Sequence, residues 1–354
     1  MQIKRDYYLD FIKVIATICI VFHHYQQVTG AFFENRLNFN GGIFYFGYIV
    51  ELFFVISGYV MVPYIKRIQD GLAFPSFFFK RFIRLFPLML IGAIAYEIFL
   101  TIYQSIYQSS WFGINVTFWG TIIASLGIQE GWGLANPSVN NPTWYISVLL
   151  LCYIIFYITT YLGKRWKIPV QYLYIFIIFL GMGIITYGIN LPFLNSQAAR
   201  GYYAFFFGIF LGEFMEKREC TNWMAIGLSC VIIIITLLIM YRNSIMANGI
   251  NYIMTYIYYP AIIMIGKHPL IASLFNRRWI GTLGKISFDV YIWHNPFYLL
   301  LYIFIKVFSW NINLDSVRVM VLYTGCCFIW GIVSHYCIEK PISKVLDKKC
   351  KLFN

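Results

Sequence analysis

Long apolar stretches recur along the chain, separated by short polar segments that carry most of the charged residues. A helix needs about 20 mainly apolar residues to cross a bilayer, and stretches of this length, or slightly shorter, occur ten times. The pattern therefore predicts an all-α integral membrane protein, a bundle of about ten transmembrane helices. The predicted spans are about 7–29, 41–65, 82–103, 144–162, 170–189, 200–215, 223–241, 250–266, 286–306 and 316–338, the sixth and eighth being short.

Composition supports a location within the membrane. Hydrophobic residues make up 60% of the 354 positions and charged residues 12%, whereas a soluble domain carries roughly 25% charged residues. The basic start and apolar run at the N-terminus lack a small-residue cleavage site, so we expect a retained first span. We predict one domain over residues 1–354, placed in the plasma or inner membrane as a multi-pass protein.

The distribution of basic residues predicts the orientation. Twenty lysines and arginines fall in the segments that alternate on the side of the N-terminus, against at most five on the other side. Cytoplasmic loops carry such an excess, so both termini are predicted to be cytoplasmic, and the net charge of +13 indicates topology rather than nucleic-acid binding. The cysteines show no CxxC spacing, and no metal is expected. Of these five, Arg36 and Arg242 fall in loops on the far side, and Arg200, Lys306 and Arg318 fall at span boundaries.

The segment 104–143 differs from the other connections. It has about forty residues, no lysine or arginine, and several aromatic side chains beside Asn and Gln. Long loops are often functional. Exposed aromatic rings would suit stacking on sugars, and a re-entrant or interfacial segment anchored by Trp is an equally good interpretation.

The first span carries a polar face. Asp10, Lys13, Thr17 and His24 share it, with Lys13 and His24 roughly 16 Å apart along the axis, while His23 points about 100° away. Ionisable groups inside a membrane are costly and often functional. A neutral imidazole can act as a base, so His24 is a candidate, although a packed, hydrogen-bonded histidine would give the same pattern.

The second span places Glu51 near mid-membrane, before FFVISGYVM. Glu51 could orient His24 or form an ion pair with a buried cation. The small Ser57 and Gly58 permit close helix approach.

A basic cluster, KRFIRLFPL, enters the third span. Lys80, Arg81 and Arg84 are three and four residues apart, so they share a helix face. We expect them at a helix N-terminus, where free N–H groups favour an anion. A phosphate-rich ligand fits this cluster, as do the positive-inside rule and lipid headgroups.

The ninth span contains GKISFDVYIWHNP, with Asp289, Tyr291 and His294 before a break or kink expected at Asn295-Pro296. This helix could form a site wall or simply pack in the core. No GxSxG, HExxH, P-loop or dinucleotide-binding pattern occurs, which excludes the hydrolase, metalloprotease and ATPase classes those motifs define.

Taken in order, these pieces resemble the membrane-bound acyltransferase-3 family, and within it the surface-polysaccharide O-acyltransferases. The family's first span has a basic residue, ten residues, then histidine, as in Lys13 and His24. Its second span has an acid before a segment like FFVISGYVM, and a basic cluster ending in Arg-aliphatic-x-Pro follows. A span led by Trp comes next, here Trp144, and GKISFDVYIWH and IEKP stand near the end.

The resemblance implies acetyl-CoA or another acyl-CoA as donor and a glycan as acceptor. It implies His24 as catalytic base with Lys13 in support, and Arg81 and Arg84 near the donor. The sequence departs from the family at Leu149, where many members have Glu, and at Lys13, where Arg is commoner.

The predicted function is acyl transfer from a cytoplasmic acyl-CoA to a hydroxyl of a surface polysaccharide or its lipid-linked precursor. Direct transfer and an acyl-enzyme on His24 both remain open. The alternative is a transporter or flippase for a glycan-related substrate, with Lys13, Glu51 and His24 as an ion relay. Transport would favour paired repeats with broken helices, and the sequence shows no internal repeat.

Overall fold

The computed structural model describes residues 5–33, 38–41, 45–134, 140–216, 218–241 and 249–350, and these ranges contain helices and no β-strand. Arg36 and Arg242, predicted on the far side of the membrane, lie outside the described residues. The α-helices are α1 Tyr7–Thr29, α2 Ile49–Tyr59, α3 Val62–Gln69, α4 Phe74–Tyr107, α5 Phe118–Leu126, α6 Trp144–Trp166, α7 Val170–Tyr187, α8 Ser196–Glu216, α9 Asn222–Tyr241, α10 Ile250–Ile253, α11 Tyr259–Ile265, α12 Pro269–Phe275, α13 Arg278–Val307, α14 Val317–Ser334 and α15 Lys340–Cys350. Two π-helical turns, Met254–Tyr258 and His335–Glu339, follow α10 and α14, and short 3₁₀ turns lie at Phe46–Tyr48, Glu130–Trp132 and Asn141–Thr143.

Each predicted span overlaps helix within the described residues, but the count of ten is not confirmed. Among the described residues, seven helical segments are long and apolar enough to cross a membrane, or eight when Phe46–Tyr59 and Val62–Gln69, bent by 42°, form one span. The sixth predicted span falls in α8, where charged residues lower the hydropathy. The eighth, Ile250–Ile265, is shorter and contains a π turn.

Helix α1 begins where its first N–H groups find an acceptor. The Asp6 carboxylate accepts hydrogen bonds from the backbone N–H groups of Tyr8 and Leu9, and Gly30 ends the helix in the left-handed conformation. Both devices are common helix caps. The helix then packs along α13, where a Cβ at Gly284 would lie 2.5 Å from Cβ of Asp10.

Helices α2 and α8 approach each other closely through glycine. A Cβ at Gly58 would overlap the backbone carbonyl of Phe205, and one at Gly208 would overlap that of Val55. The small residues predicted to allow close approach therefore do so at Gly58, and the contact fixes the depth of Glu51 relative to α8.

The described parts of the segment 104–143 pack against the bundle. Helix α5 packs on α4, and a Cβ at Gly127 would lie 2.5 Å from Cε of Met89. Gln129 is fully buried, and Trp132 donates a hydrogen bond to the carbonyl of Ser147 at 3.1 Å. Trp119 is 69% exposed, and both interpretations of the segment, sugar stacking and a re-entrant or interfacial position, stay predictions.

Candidate functional site

The two adjacent histidines of α1 lie in different surroundings, as helix geometry predicts. His23 donates from Nδ1 to the carbonyl of Phe39 at 3.0 Å, and its ring packs against Tyr45. His24 instead contacts α13, its ring centroid 5.2 Å from that of His294. The face shared with His24 also carries Lys13, which lies 3.6 Å from Asp10.

A cavity of about 210 Å³ lies between α1, α2, α4, α6 and α13. Both polar and apolar side chains line it, and Arg84 is exposed at its edge. Leu149 stands in the wall, so the departure from the family at this position makes the cavity more apolar. The polar and charged lining residues used below are Lys13, Thr17, Ser57, Arg81, Arg84 and Tyr291.

Aromatic rings hold the Arg81 guanidinium in place. Its Cζ lies 3.8 Å from the ring centroid of Phe77 and 4.1 Å from that of Tyr64, and Nη1 donates to the carbonyl of Phe77 at 2.6 Å. Stacked guanidinium groups of this kind gain cation–π attraction and lose little freedom on binding an anion. Nη2 also donates to Sδ of Met61 at 3.4 Å, so the guanidinium is fixed at the cavity wall, with Arg84 beside it.

The expected position of the basic cluster at a helix N-terminus is wrong. Helix α4 begins at Phe74, so Lys80, Arg81 and Arg84 occupy its second and third turns. Only the first four N–H groups of a helix are free, and an anion here would therefore contact side chains. Lys80 is exposed and does not line the cavity, whereas the two arginines do.

Three aromatic rings lie at the opposite end of the cavity. The centroids of Phe53, Tyr145 and Tyr291 are 5.8–6.2 Å apart, and the Ser57 and Tyr145 hydroxyl oxygens are 3.1 Å apart. His24 does not line the cavity; it lies beyond this cluster, two turns along α1 from Thr17. The cavity and the candidate base are thus separated by a layer of side chains.

The hydrogen bonds of His24 and His294 define their tautomers. His24 Nδ1 is 2.9 Å from Oε1 of Gln27, and His294 Nδ1 is 2.8 Å from the carbonyl of Tyr291. Both partners accept, so each Nδ1 carries hydrogen, and in the neutral imidazole each Nε2 then carries the lone pair. Nε2 of the fully buried His294 has no hydrogen-bond partner among the described residues. In their neutral forms the two imidazoles therefore present lone-pair nitrogens in one small region.

Helix α13 continues through Pro296, so of the break or kink expected at Asn295-Pro296 the break does not occur. Because proline lacks an N–H, the carbonyl of Ile292, four residues earlier, has no helical donor. Asn140 supplies one, donating from Nδ2 at 2.7 Å. The Tyr291 hydroxyl also donates to the carbonyl of Pro142. The end of the segment 104–143 is therefore hydrogen-bonded to α13 beside His294.

Glu51 forms a buried ion pair and does not contact His24. Arg200 donates to it from Nε at 2.7 Å and from Nη2 at 2.8 Å, and the Tyr203 hydroxyl donates at 2.9 Å. Trp144 lies outside the cavity, its ring centroid 4.9 Å from Arg200 Cζ. Of the two interpretations of Glu51, the structure shows the ion pair.

Sequence reasoning missed Arg200 and Asn140. Arg200 was assigned to a membrane boundary, although an arginine at the start of one apolar stretch and an acid inside another signal a buried pair. Asn140 could be suspected only together with Pro296. Proline leaves the carbonyl of Ile292 without a helical donor, so a donor must come from another part of the chain.

A family model described as an acyltransferase domain, that of acyltransferase-3, matches residues 6–336. No curated protein and no solved structure matches the chain. The matched region runs from the cap of α1 to the π turn after α14 and includes every site residue described above. This multi-pass membrane protein therefore belongs to the membrane acyltransferase-3 family, and its activity is acyl transfer.

Proposed function

We propose that the protein transfers an acetyl or similar acyl group from cytoplasmic acyl-CoA to a hydroxyl of a surface polysaccharide or its lipid-linked precursor. The main observation behind the proposal is that a basic cavity and two histidines lie on opposite sides of one layer of aromatic side chains. On one side is a cavity with Lys13, Arg81 and Arg84 in its wall; on the other are His24 and His294.

The cavity suits a phosphate-bearing thioester. Guanidinium groups bind phosphate through charge-assisted hydrogen bonds, and the apolar wall around Leu149 accommodates an alkyl arm. We propose that phosphates of the donor contact Arg81 and Arg84, and that the pantetheine arm passes between Tyr145 and Tyr291. The thioester at the end of this arm then reaches His24 inside the membrane.

Two lone-pair nitrogens provide the proton acceptors that the reaction needs. His24 Nε2 takes the proton of the acceptor hydroxyl while its oxygen attacks the thioester carbonyl carbon. The C–S bond breaks, the acyl ester forms, and the proton returns from the imidazolium to the departing thiolate. His294, with Nε2 free, accepts a hydrogen bond from the imidazolium and stabilises it between these steps.

The acceptor class is supported by the resemblance to surface-polysaccharide O-acyltransferases and by the exposed aromatic residues of the segment 104–143. Phe118 and Trp119 are 75% and 69% exposed at the start of α5. Exposed aromatic faces of this kind suit sugar rings. A lipid-linked precursor would present its sugar at the membrane surface while its chain stays in lipid.

The test is acyl transfer from labelled acetyl-CoA into glycan by membranes with matched amounts of protein. We expect His24→Ala to lose about 10²–10⁴-fold in rate, the contribution of a general base. His23→Ala is the matched control, because His23 is the neighbouring residue but faces Phe39 and Tyr45. It should keep most of the activity.

Near-normal turnover of His24→Ala would refute the proposed base even within the family. A wild-type protein that consumes acetyl-CoA without labelling glycan would refute the acceptor class. Comparison of the O-acetyl content of the surface glycan by NMR, with and without the protein, gives the same answer in cells.

A further inference from the structure

Three ionisable side chains lie together inside the bundle, away from the cavity. Asp289 comes from α13, and His335 and Glu339 come from the π turn after α14. One ligand atom from each lies within 4.8 Å of the others. His335 Nδ1 is 3.4 Å from Asp289 Oδ2 and 2.5 Å from Glu339 Oε2, and the Asp289 side chain is fully buried.

The Asp289 carboxylate is fixed by one oxygen and open at the other. Ser334 donates to Oδ1 at 2.8 Å, and Trp293 Nε1 donates to the Ser334 hydroxyl at 2.9 Å. Oδ2 has no hydrogen-bond partner among the described residues. A ligating carboxylate is commonly held in this way by an outer shell of hydrogen bonds, so the free oxygen is ready for a further ligand.

The cluster holds two carboxyl groups and one imidazole. With both carboxyl groups ionised, Asp289 and Glu339 would contribute two negative charges against at most one positive charge from His335, and no Lys or Arg among the described residues pairs with them. An uncompensated charge within the membrane region is costly. A divalent cation bound to two carboxylates and a neutral imidazole would make the cluster neutral.

We propose that Asp289 Oδ2, His335 Nδ1 and Glu339 Oε2 bind a divalent transition-metal ion, with zinc as the best fit. Zinc takes imidazole and carboxylate ligands at about 2.0–2.2 Å in a tetrahedron, whose ligand atoms then lie about 3.4 Å apart. The Asp289–His335 separation has this value. The ion replaces the His335–Glu339 hydrogen bond, and three protein ligands leave one position for water.

This site departs from the expectation of no metal, because its ligands come from two helices and form no sequence motif. It is independent of the proposed function. The ion joins α14 to α13 five residues before His294, and π turns often occur at functional sites. We therefore assign it to stabilising the helix that carries His294.

The experiment uses full-length protein in detergent, without a polyhistidine tag, stripped with EDTA and then given equimolar zinc chloride. After desalting, we expect one zinc per chain by mass spectrometry and a higher unfolding temperature than in EDTA. Asp289→Asn and Glu339→Gln should lose both effects. Glu216→Gln, which neutralises an exposed carboxylate, should keep them.

Zinc contents equal in wild type and Glu339→Gln would overturn the site and indicate a carboxyl group neutralised by a proton. If the variants fail to fold, zinc X-ray absorption on the wild type decides the matter. Nitrogen and oxygen ligands alone are expected, and sulfur ligands would assign the metal to cysteines instead.

Discussion

At the residue scale, polar side chains inside apolar stretches were the strongest signal in the sequence. Lys13, Arg81 and Arg84 line one cavity, and His24 faces His294. The partner of each group could not be predicted, because pairing depends on which helices become neighbours. Glu51 illustrates this: its depth was predicted, while its pairing with Arg200 required the α2–α8 contact.

We expect Glu51→Gln to destabilise the protein by about 3–5 kcal/mol, since it leaves Arg200 with an uncompensated charge. Thermal unfolding in detergent measures the effect. Glu51→Gln/Arg200→Gln should lose less than the sum of the two single changes. A folded Glu51→Gln that unfolds at the wild-type temperature but is inactive would instead place the carboxylate in the chemistry.

Arg81→Ala and Arg84→Ala should each weaken acyl-CoA binding by about 1.5–3 kcal/mol, the range for hydrogen bonds to charged groups. Lys80→Ala is the control: it removes a cation from the same helix turn, outside the cavity. Donor affinity measured by calorimetry separates them. Equal donor affinities in all three variants would show that the basic cluster does not bind the donor and serves only to orient the protein in the membrane.

At the element scale, apolar length predicted where helices lie and turn chemistry decided how they end. Helix α4 starts eight residues before its predicted span because Phe74-Pro75 begins a helix whose first turns lie outside the apolar stretch. Helix α13 continues through Pro296 because Asn140 satisfies the carbonyl that proline leaves free. Local propensity could not predict the second outcome, since Asn140 lies far from Pro296 in sequence, whereas Pro75 was a local signal for the start of α4.

Asn140→Ala should cost about 1–3 kcal/mol, the penalty for a buried carbonyl without a donor. Pro296→Ala supplies an N–H four residues after Ile292, so in that background the loss caused by Asn140→Ala should be smaller. Unfolding temperatures of the four proteins form a double-mutant cycle. Additive losses would show that Asn140 acts on something other than the Ile292 carbonyl.

At the scale of the whole molecule, charge alternation along the sequence predicts ten spans, whereas the length and hydropathy of the helices identify seven or eight among the described residues. Family membership fixes the activity as acyl transfer, which disfavours the transporter alternative. Among the described residues, one helix pair, Phe46–Tyr59 and Val62–Gln69, forms a bent span, whereas inverted repeats would produce two such spans. Ten spans remain a prediction, because α8 and Ile250–Ile265 are less apolar or shorter than an independent span requires.

Sided labelling of introduced cysteines tests the count at α8. If α8 crosses the membrane, Asn190→Cys and Glu219→Cys lie on opposite sides, with Glu219→Cys in the cytoplasm as the positive-inside rule requires. Helix α8 has 21 residues, about 30 Å, which matches the hydrocarbon core. The charge of Arg200 on α8 is neutralised by the buried Glu51 on α2, so Arg200 does not prevent α8 from crossing the membrane. We therefore expect a membrane-impermeant maleimide to label Asn190→Cys in intact cells, and Glu219→Cys only after permeabilisation, in a background whose native cysteines are replaced by alanine. Labelling of both from outside would leave α8 within one leaflet and remove its span from the count.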